Sequence, residues 1–151
     1  MRIGDLAPDF TLLDQEGIER SLSTFLARGP VVLFFYPAAM TKGCTKESCH
    51  FRDLAGEFAS LGAQRIGISM DSVERQAKFT EQNALDYPLL ADINGAVAKL
   101  FGVKRPADFL KVRRTTFVIA QDRRVLDAIS SEVNMNVHAE RALATLSTLT
   151  S

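Results

Sequence analysis

The feature that most constrains this chain is the unbroken apolar run Val31-Val32-Leu33-Phe34-Phe35-Tyr36. Six consecutive β-branched, aliphatic and aromatic residues leave no face for water, so the segment reads as a core strand covered on both sides. The period then changes. Phe51, Leu54, Ala55, Phe58 and Leu61 recur at spacings of three and four, which predicts an amphipathic helix from Cys44 to Leu61, stopped at Gly62. Residues 37–43 form the loop between strand and helix.

The remaining segments repeat this alternation. Arg65-Ile66-Gly67-Ile68-Ser69-Met70 reads as a second buried strand, with Asp71 or Ser72 capping a helix through about Asn83. A short strand near Leu89-Leu90 and a helix over 96–101, stopped by Gly102, come next. Strands over 115–120 and 125–129 flank the turn Gln121-Asp122-Arg123-Arg124, and a terminal helix covers about 137–146. Ahead of the core run, Phe10-Thr11-Leu12-Leu13 and Ile18-Glu19-Arg20 form a small hairpin around Asp14-Gln15-Glu16-Gly17, and Ser21 or Ser23 caps a brief helix through Leu26. Strands alternating with helices predict an α/β sandwich with a mixed sheet. No repeat or Gly/Ser/Pro-rich linker divides the chain, so residues 1–151 are read as a single domain. Phe34, Phe35, Phe51, Phe58, Phe79, Phe101 and Phe117 are assigned to its core.

Charge removes several classes of partner. Eighteen basic side chains balance eighteen acidic ones, leaving no cationic excess with which to hold nucleic acid or an anionic membrane. No window approaches the ~20 apolar residues of a membrane span, and the N-terminus lacks the layout of a signal peptide, so a cytoplasmic location is expected. In that reducing compartment two thiols serve redox or metal chemistry more often than a permanent crosslink. A metal centre needs about four well-placed ligands. Cys44 and Cys49 have unsuitable spacing for one, and His50 and His138 are far apart and expected at the surface.

Cys44 falls at or just inside the first turn of its helix, where unpaired N–H groups and the positive end of the helix dipole favour a thiolate, the nucleophilic form. Lys42 adds a cation close by. Cys49 follows five residues later. At ~1.5 Å rise and ~100° per residue, one continuous helix holds the two Cα atoms about 8.7 Å apart. A disulfide tolerates roughly 4.4 to 6.8 Å, so a bond between them requires the first turns to unwind.

Pro37-x-x-x-Thr41-x-x-Cys44 resembles the active-site motif of the peroxiredoxins, thiol peroxidases of the thioredoxin-like fold. Gly43-Cys44-Thr45-Lys46-Glu47-Ser48-Cys49 resembles the peroxiredoxin Q or bacterioferritin comigratory protein subgroup. Gly4-Asp5-Leu6-Ala7-Pro8-Asp9-Phe10 is similar to the family's opening segment, and Arg114-Thr115-Thr116-Phe117-Val118-Ile119 to the late strand that carries its catalytic arginine. The likeness spans about residues 3–146. It implies a thioredoxin-like sandwich with a mixed central β-sheet flanked by helices and an N-terminal β-hairpin.

The same resemblance implies a thiol-dependent peroxidase with no haem, flavin or metal cofactor. Cys44 would be the peroxidatic cysteine and Cys49 the resolving one, joined in the oxidised form. The Thr41 hydroxyl and the backbone N–H groups at Gly43 and Cys44 would surround the peroxide, with Arg114 beside the thiolate and Pro37 shielding the pocket. Arg113 is the rival of Arg114, because a one-residue change of strand alignment exchanges their faces. Thioredoxin or a similar dithiol protein is the implied reductant, and a monomer, or at most a weak dimer, the implied state. Ala38-Ala39-Met40 and Lys42 depart from the subgroup's usual polar residues and proline, and this less polar rim suggests organic hydroperoxides over hydrogen peroxide. The alternative is a redox sensor or interaction protein in which the same disulfide changes a binding surface.

Overall fold

The computed structural model describes residues 1–106 and 111–149. In chain order the elements are β1 (Thr11–Leu13), β2 (Glu19–Ser21), α1 (Leu22–Leu26), β3 (Val31–Phe35), α2 (Lys42–Asp53), α3 (Ala55–Ser60) and β4 (Gln64–Ser69). They continue with α4 (Val73–Asn83), β5 (Leu89–Ala91), α5 (Ala96–Leu100), β6 (Thr115–Ile119), β7 (Val125–Ser130) and α6 (Asn136–Ser147). Among the described residues seven strands make one mixed sheet in the order β2-β1-β5-β4-β3-β6-β7. The apolar run is its centre: β3 is parallel to β4, antiparallel to β6, and buried along its whole length.

Alternation along β3 builds two cores. Val31, Leu33 and Phe35 pack with Leu22, Phe25 and Leu26 of α1 and with Val97, Ala98 and Phe101 at α5. Val32, Phe34 and Tyr36 pack on the other face with Phe51, Phe58, Phe79, Ala139, Ala142 and Leu146. Phe34 stacks on Phe51 with centroids 4.2 Å apart. Burying each such ring contributes about 1.5–3 kcal/mol. Gly67 of β4 gives these rings their room, since a Cβ there would stand 2.7 Å from Leu89 Cδ2 and 3.0 Å from Phe34 Cζ.

The expected helix from Cys44 to Leu61 is instead two helices, starting at Lys42 and interrupted at Leu54 (φ −96°, ψ 20°). The cause is a contact distant in sequence. The Phe51 carbonyl, which would accept from Ala55 in an unbroken helix, accepts from Arg65 Nη1 at 3.0 Å. Ser21 and Ser72 are the caps of α1 and α4. No helix among the described residues is long and apolar enough to cross a membrane.

Register decides which arginine faces inward. Phe35 pairs with Thr115 and Phe34 with Thr116, so the residue before β6 lies level with the end of β3, where the loop toward α2 begins. Val118 packs on the α2/α6 face, while Phe117 and Ile119 pack on the opposite one. By alternation Thr116 and Arg114 share the Val118 face. Arg114 is buried there and Arg113 is exposed.

Candidate active site

The loop 37–41 leaves the buried end of β3 and is tied from below. The Ala39 N–H donates to Asp71 Oδ2 at 2.7 Å, and Asp71 also accepts from Ser69 Oγ at 2.6 Å and Arg75 Nε at 3.0 Å. Met40 adopts a left-handed conformation, φ 65°, which L side chains take at some cost. This turn delivers Thr41 to the N-cap of α2. The Thr41 hydroxyl does not cap the helix; it donates to the Ala38 carbonyl at 2.8 Å. The first i→i−4 bond of α2 runs from Thr45 N–H to Thr41 O, so the N–H groups of Lys42, Gly43 and Cys44 precede the helical ladder.

Cys44 is fully buried at this end. Its Sγ accepts from Arg114 Nη2 at 3.2 Å, while Arg114 Nη1 donates to Glu47 Oε1 at 2.8 Å. One guanidinium therefore spans the sulfur and a carboxylate one turn farther along the same helix. The Arg114 backbone N–H donates to the Glu132 carboxylate, which also accepts from Arg105. Gly43 allows the close approach: a Cβ there would stand 3.3 Å from Arg114 Nη2 and 3.7 Å from Met135 Sδ.

Burial opposes the Arg114 charge, but Glu47 and Cys44 outweigh it and hold the guanidinium pKa above its ordinary value. Glu47 responds the other way. Burial pushes its carboxyl up to about 7 against the pull of Arg114.

Cys49 faces a different neighbourhood. It is half-buried, and its thiol lies 3.7 Å from Asn83 Oδ1 at the end of α4. Both cysteines are free thiols, and both lie within the single helix α2, whose geometry holds them about 8.7 Å apart. Of the other expected residues, Pro37 is half-buried at the start of the loop, while Thr41 and Lys42 are exposed at the helix entrance.

One expectation is overturned. His138 is not a surface residue; it is fully buried, with Nδ1 2.8 Å from Thr116 Oγ1, Nε2 2.9 Å from the Ser131 carbonyl and 3.5 Å from Glu47 Oε2. Burial holds its pKa below the ordinary value. The signal was available in the helical period, since His138, Ala142 and Leu146 fall four residues apart on one stripe. Glu47, three residues after Cys44 on the same helical face, was marked by the same arithmetic. Asp71 carried no comparable signal, because it gains its role only when β4 and the loop meet. His50 is half-buried, 3.8 Å from Glu140.

Known proteins resemble the chain along most of its length. The model of the AhpC/TSA family matches residues 3–128. A Mycobacterium tuberculosis protein named as a peroxiredoxin is 62% identical over 148 residues, covering 97% of this chain and 96% of its own. The crystal structure of peroxidoxin BcpB from Mycobacterium tuberculosis superposes with a TM-score of 0.96 at 60% identity, covering 100% of this chain and 99% of its own. The bacterioferritin comigratory protein of Xanthomonas campestris, a structure described for alkyl peroxide reduction, superposes with a TM-score of 0.86 at 28% identity, covering 94% and 92%.

Proposed function

The chain belongs to the AhpC/TSA family and is a peroxiredoxin, and on that premise we propose that it reduces hydrogen peroxide and organic hydroperoxides through Cys44, with Cys49 resolving the product. The carrying observation is the 3.2 Å contact from Arg114 Nη2 to Cys44 Sγ at a helix N-terminus without a side-chain cap. In the first step the Cys44 thiolate attacks the terminal peroxide oxygen. An S–O bond forms, the O–O bond breaks, and the charge passes to the leaving oxygen, which takes a proton to become water or an alcohol. Arg114 and the N–H groups of Gly43 and Cys44 are donors suited to that developing charge. Because the Thr41 hydrogen is committed to Ala38, the Thr41 oxygen remains to accept from the hydroperoxide O–H. Pro37 shields the pocket.

In the second step the Cys49 thiol displaces water from the Cys44 sulfenic acid and a disulfide forms, which protects Cys44 from irreversible oxidation. Residues of α2 between the cysteines must unwind for this. A thioredoxin-like dithiol protein then exchanges with the disulfide and restores both thiols. The protein works in this reading as a single-domain monomer in the cytoplasm, where thiols are the resting state.

The test is a thiol count on reduced protein before and after one equivalent of hydrogen peroxide, with residual peroxide assayed. The wild type loses both thiols as one equivalent disappears within seconds, Cys44→Ser consumes none promptly, and Cys49→Ser stops at a sulfenic acid. Persistence of both wild-type thiols, or identical behaviour of the two variants, overturns the reading.

A further inference from the structure

Behind Arg114, away from the sulfur, lies a buried pair that the cycle above does not use. Glu47 Oε2 has no hydrogen-bond partner among the described residues, and it faces His138 Nε2 at 3.5 Å across the contact between α2 and α6. Both side chains are 0% exposed. The His138 ring is wired to accept a second proton without moving. Its Nε2 meets the Ser131 carbonyl, which can only accept, so Nε2 carries a hydrogen. Its Nδ1 meets the Thr116 hydroxyl, which donates to a neutral ring and accepts from a protonated one.

Charge counting gives this pair a task. With Glu47 ionised, His138 neutral and Cys44 a thiol, the single positive charge of Arg114 is balanced. Turning Cys44 into a thiolate leaves one net negative charge in a site closed to water, which burial penalises. One proton on Glu47 or His138 restores the balance and leaves the Arg114 charge undivided for the sulfur.

We propose that Glu47 and His138 together hold one exchangeable proton that matches the charge on Cys44, which makes His138 a positioning residue acting through Glu47 and Arg114. The role rests on the peroxidase reading. The proton count closes over the first step: thiolate, protonated pair and hydroperoxide give sulfenic acid, deprotonated pair and alcohol, with the pair's proton returned to solvent as the leaving oxygen takes one up. Glu47 pushed up to about 7 and His138 held below its ordinary value put the exchange near neutral pH. The charged and titratable groups around the pair come from every packed element. They are Arg114 before β6, Glu132 after β7, Arg141 on α6 and Tyr87 before β5, with Cys44 on the far side of the guanidinium and His50 and Glu140 facing each other elsewhere along the same α2/α6 contact. Of these, Glu132 opposes ionisation of Glu47, while Arg114 and then Arg141 oppose protonation of His138 and Glu132 favours it.

The chain has only two histidines, so imidazole-nitrogen NMR resolves His138 directly. In reduced wild-type protein titrated from pH 5 to 9, the His138 ring signals are expected to shift as the Glu47 carboxyl beside it titrates, near 7, and Glu47→Gln is expected to abolish that shift. In parallel, the second-order rate constant for Cys44 oxidation by hydrogen peroxide is measured across the same range. The wild-type profile is expected to show an inflection near pH 7 that Glu47→Gln removes and His138→Gln displaces by about half a unit or more. A wild type that consumes peroxide but whose profile superposes on both variants, with a His138 ring indifferent to Glu47→Gln, overturns the proposal. A wild type that consumes no peroxide overturns the peroxidase reading, and this role with it.

Discussion

Cys44 and Cys49 ride on the same twelve-residue helix, yet the turn that carries Cys44 is held by charge and the turn that carries Cys49 mainly by separate hydrogen bonds to its backbone or its neighbour. At the first turn Arg114 binds the sulfur and Glu47 together. Farther along, Tyr87 Oη donates to the Ser48 carbonyl at 2.7 Å, Arg65 to the Phe51 carbonyl, and Arg52 to the Asn83 carbonyl at 2.6 Å. Removing one partner of a buried ion pair costs about 3–5 kcal/mol. Single hydrogen bonds contribute about 0.5–1.5 kcal/mol each, somewhat more from a charged donor. The Cys44 end of α2 is therefore the more firmly held of the two, and the Cys49 end the more readily released. A reacting atom needs fixed donors around it, whereas a resolving thiol needs freedom to travel.

The largest way to break this contrast is at Arg114. Arg114→Met keeps the volume but removes the donor, and the rate constant for Cys44 oxidation should fall about 10²–10³-fold. Iodoacetamide labelling of Cys49 in the same protein should keep its rate. A change under about threefold in stopped-flow peroxide consumption would remove Arg114 from the chemistry.

A second effect reads the charged end through stability. Glu47 binds its proton more tightly folded, at about 7 against 4.5 for the ordinary group. Its contribution is thus present at low pH and lost as pH rises through about 7, a swing of about 3 kcal/mol. His138, held low, acts in the opposite sense, gaining stability as pH rises toward its ordinary value, so the difference between the two proteins reports the Glu47–His138 pair with Glu47 as its larger part. Glu47→Gln should gain about 3 kcal/mol on the wild type between pH 4.5 and 8 in urea unfolding. A constant difference across that range would contradict the assignment.

The smallest effect sharpens the other end. Tyr87→Phe deletes only the hydroxyl that holds the Ser48 carbonyl, which should cost about 1 kcal/mol and speed disulfide closure roughly fivefold after a peroxide pulse. Sulfenic acid formation at Cys44 should be unchanged. Slower closure would show that Tyr87 guides the unwinding and does not restrain it.

Much of this was readable from local pattern. The six-residue run marked the central strand, turn residues marked both hairpins, and Ser21 and Ser72 stood where caps were expected. What escaped depended on contacts remote in sequence. Helical spacing alone could not reveal the break at Leu54, because it follows from Arg65 reaching the Phe51 carbonyl. Neither could the segment around Arg113 and Arg114 choose its own face; pairing with β3 did that. A surface place for His138 follows from the absence of any need for an imidazole base in thiolate attack, and only the assembled fold supplies Thr116, Ser131 and Glu47 as its neighbours. The Cys44 region was thus legible as chemistry before it was legible as geometry.

Glu47 lies between the two cysteines, inside the segment that a Cys44–Cys49 disulfide would close into a loop. On the proposed cycle, forming that bond would unwind the helix around Glu47 while it removes the charge on Cys44, and so would loosen both side-chain partners of Arg114. The oxidised protein would thereby be loaded like a bent spring, with a stranded cation favouring return to the dithiol. On this reading the disulfide would be a temporary store, surrendered to the next reductant that arrives.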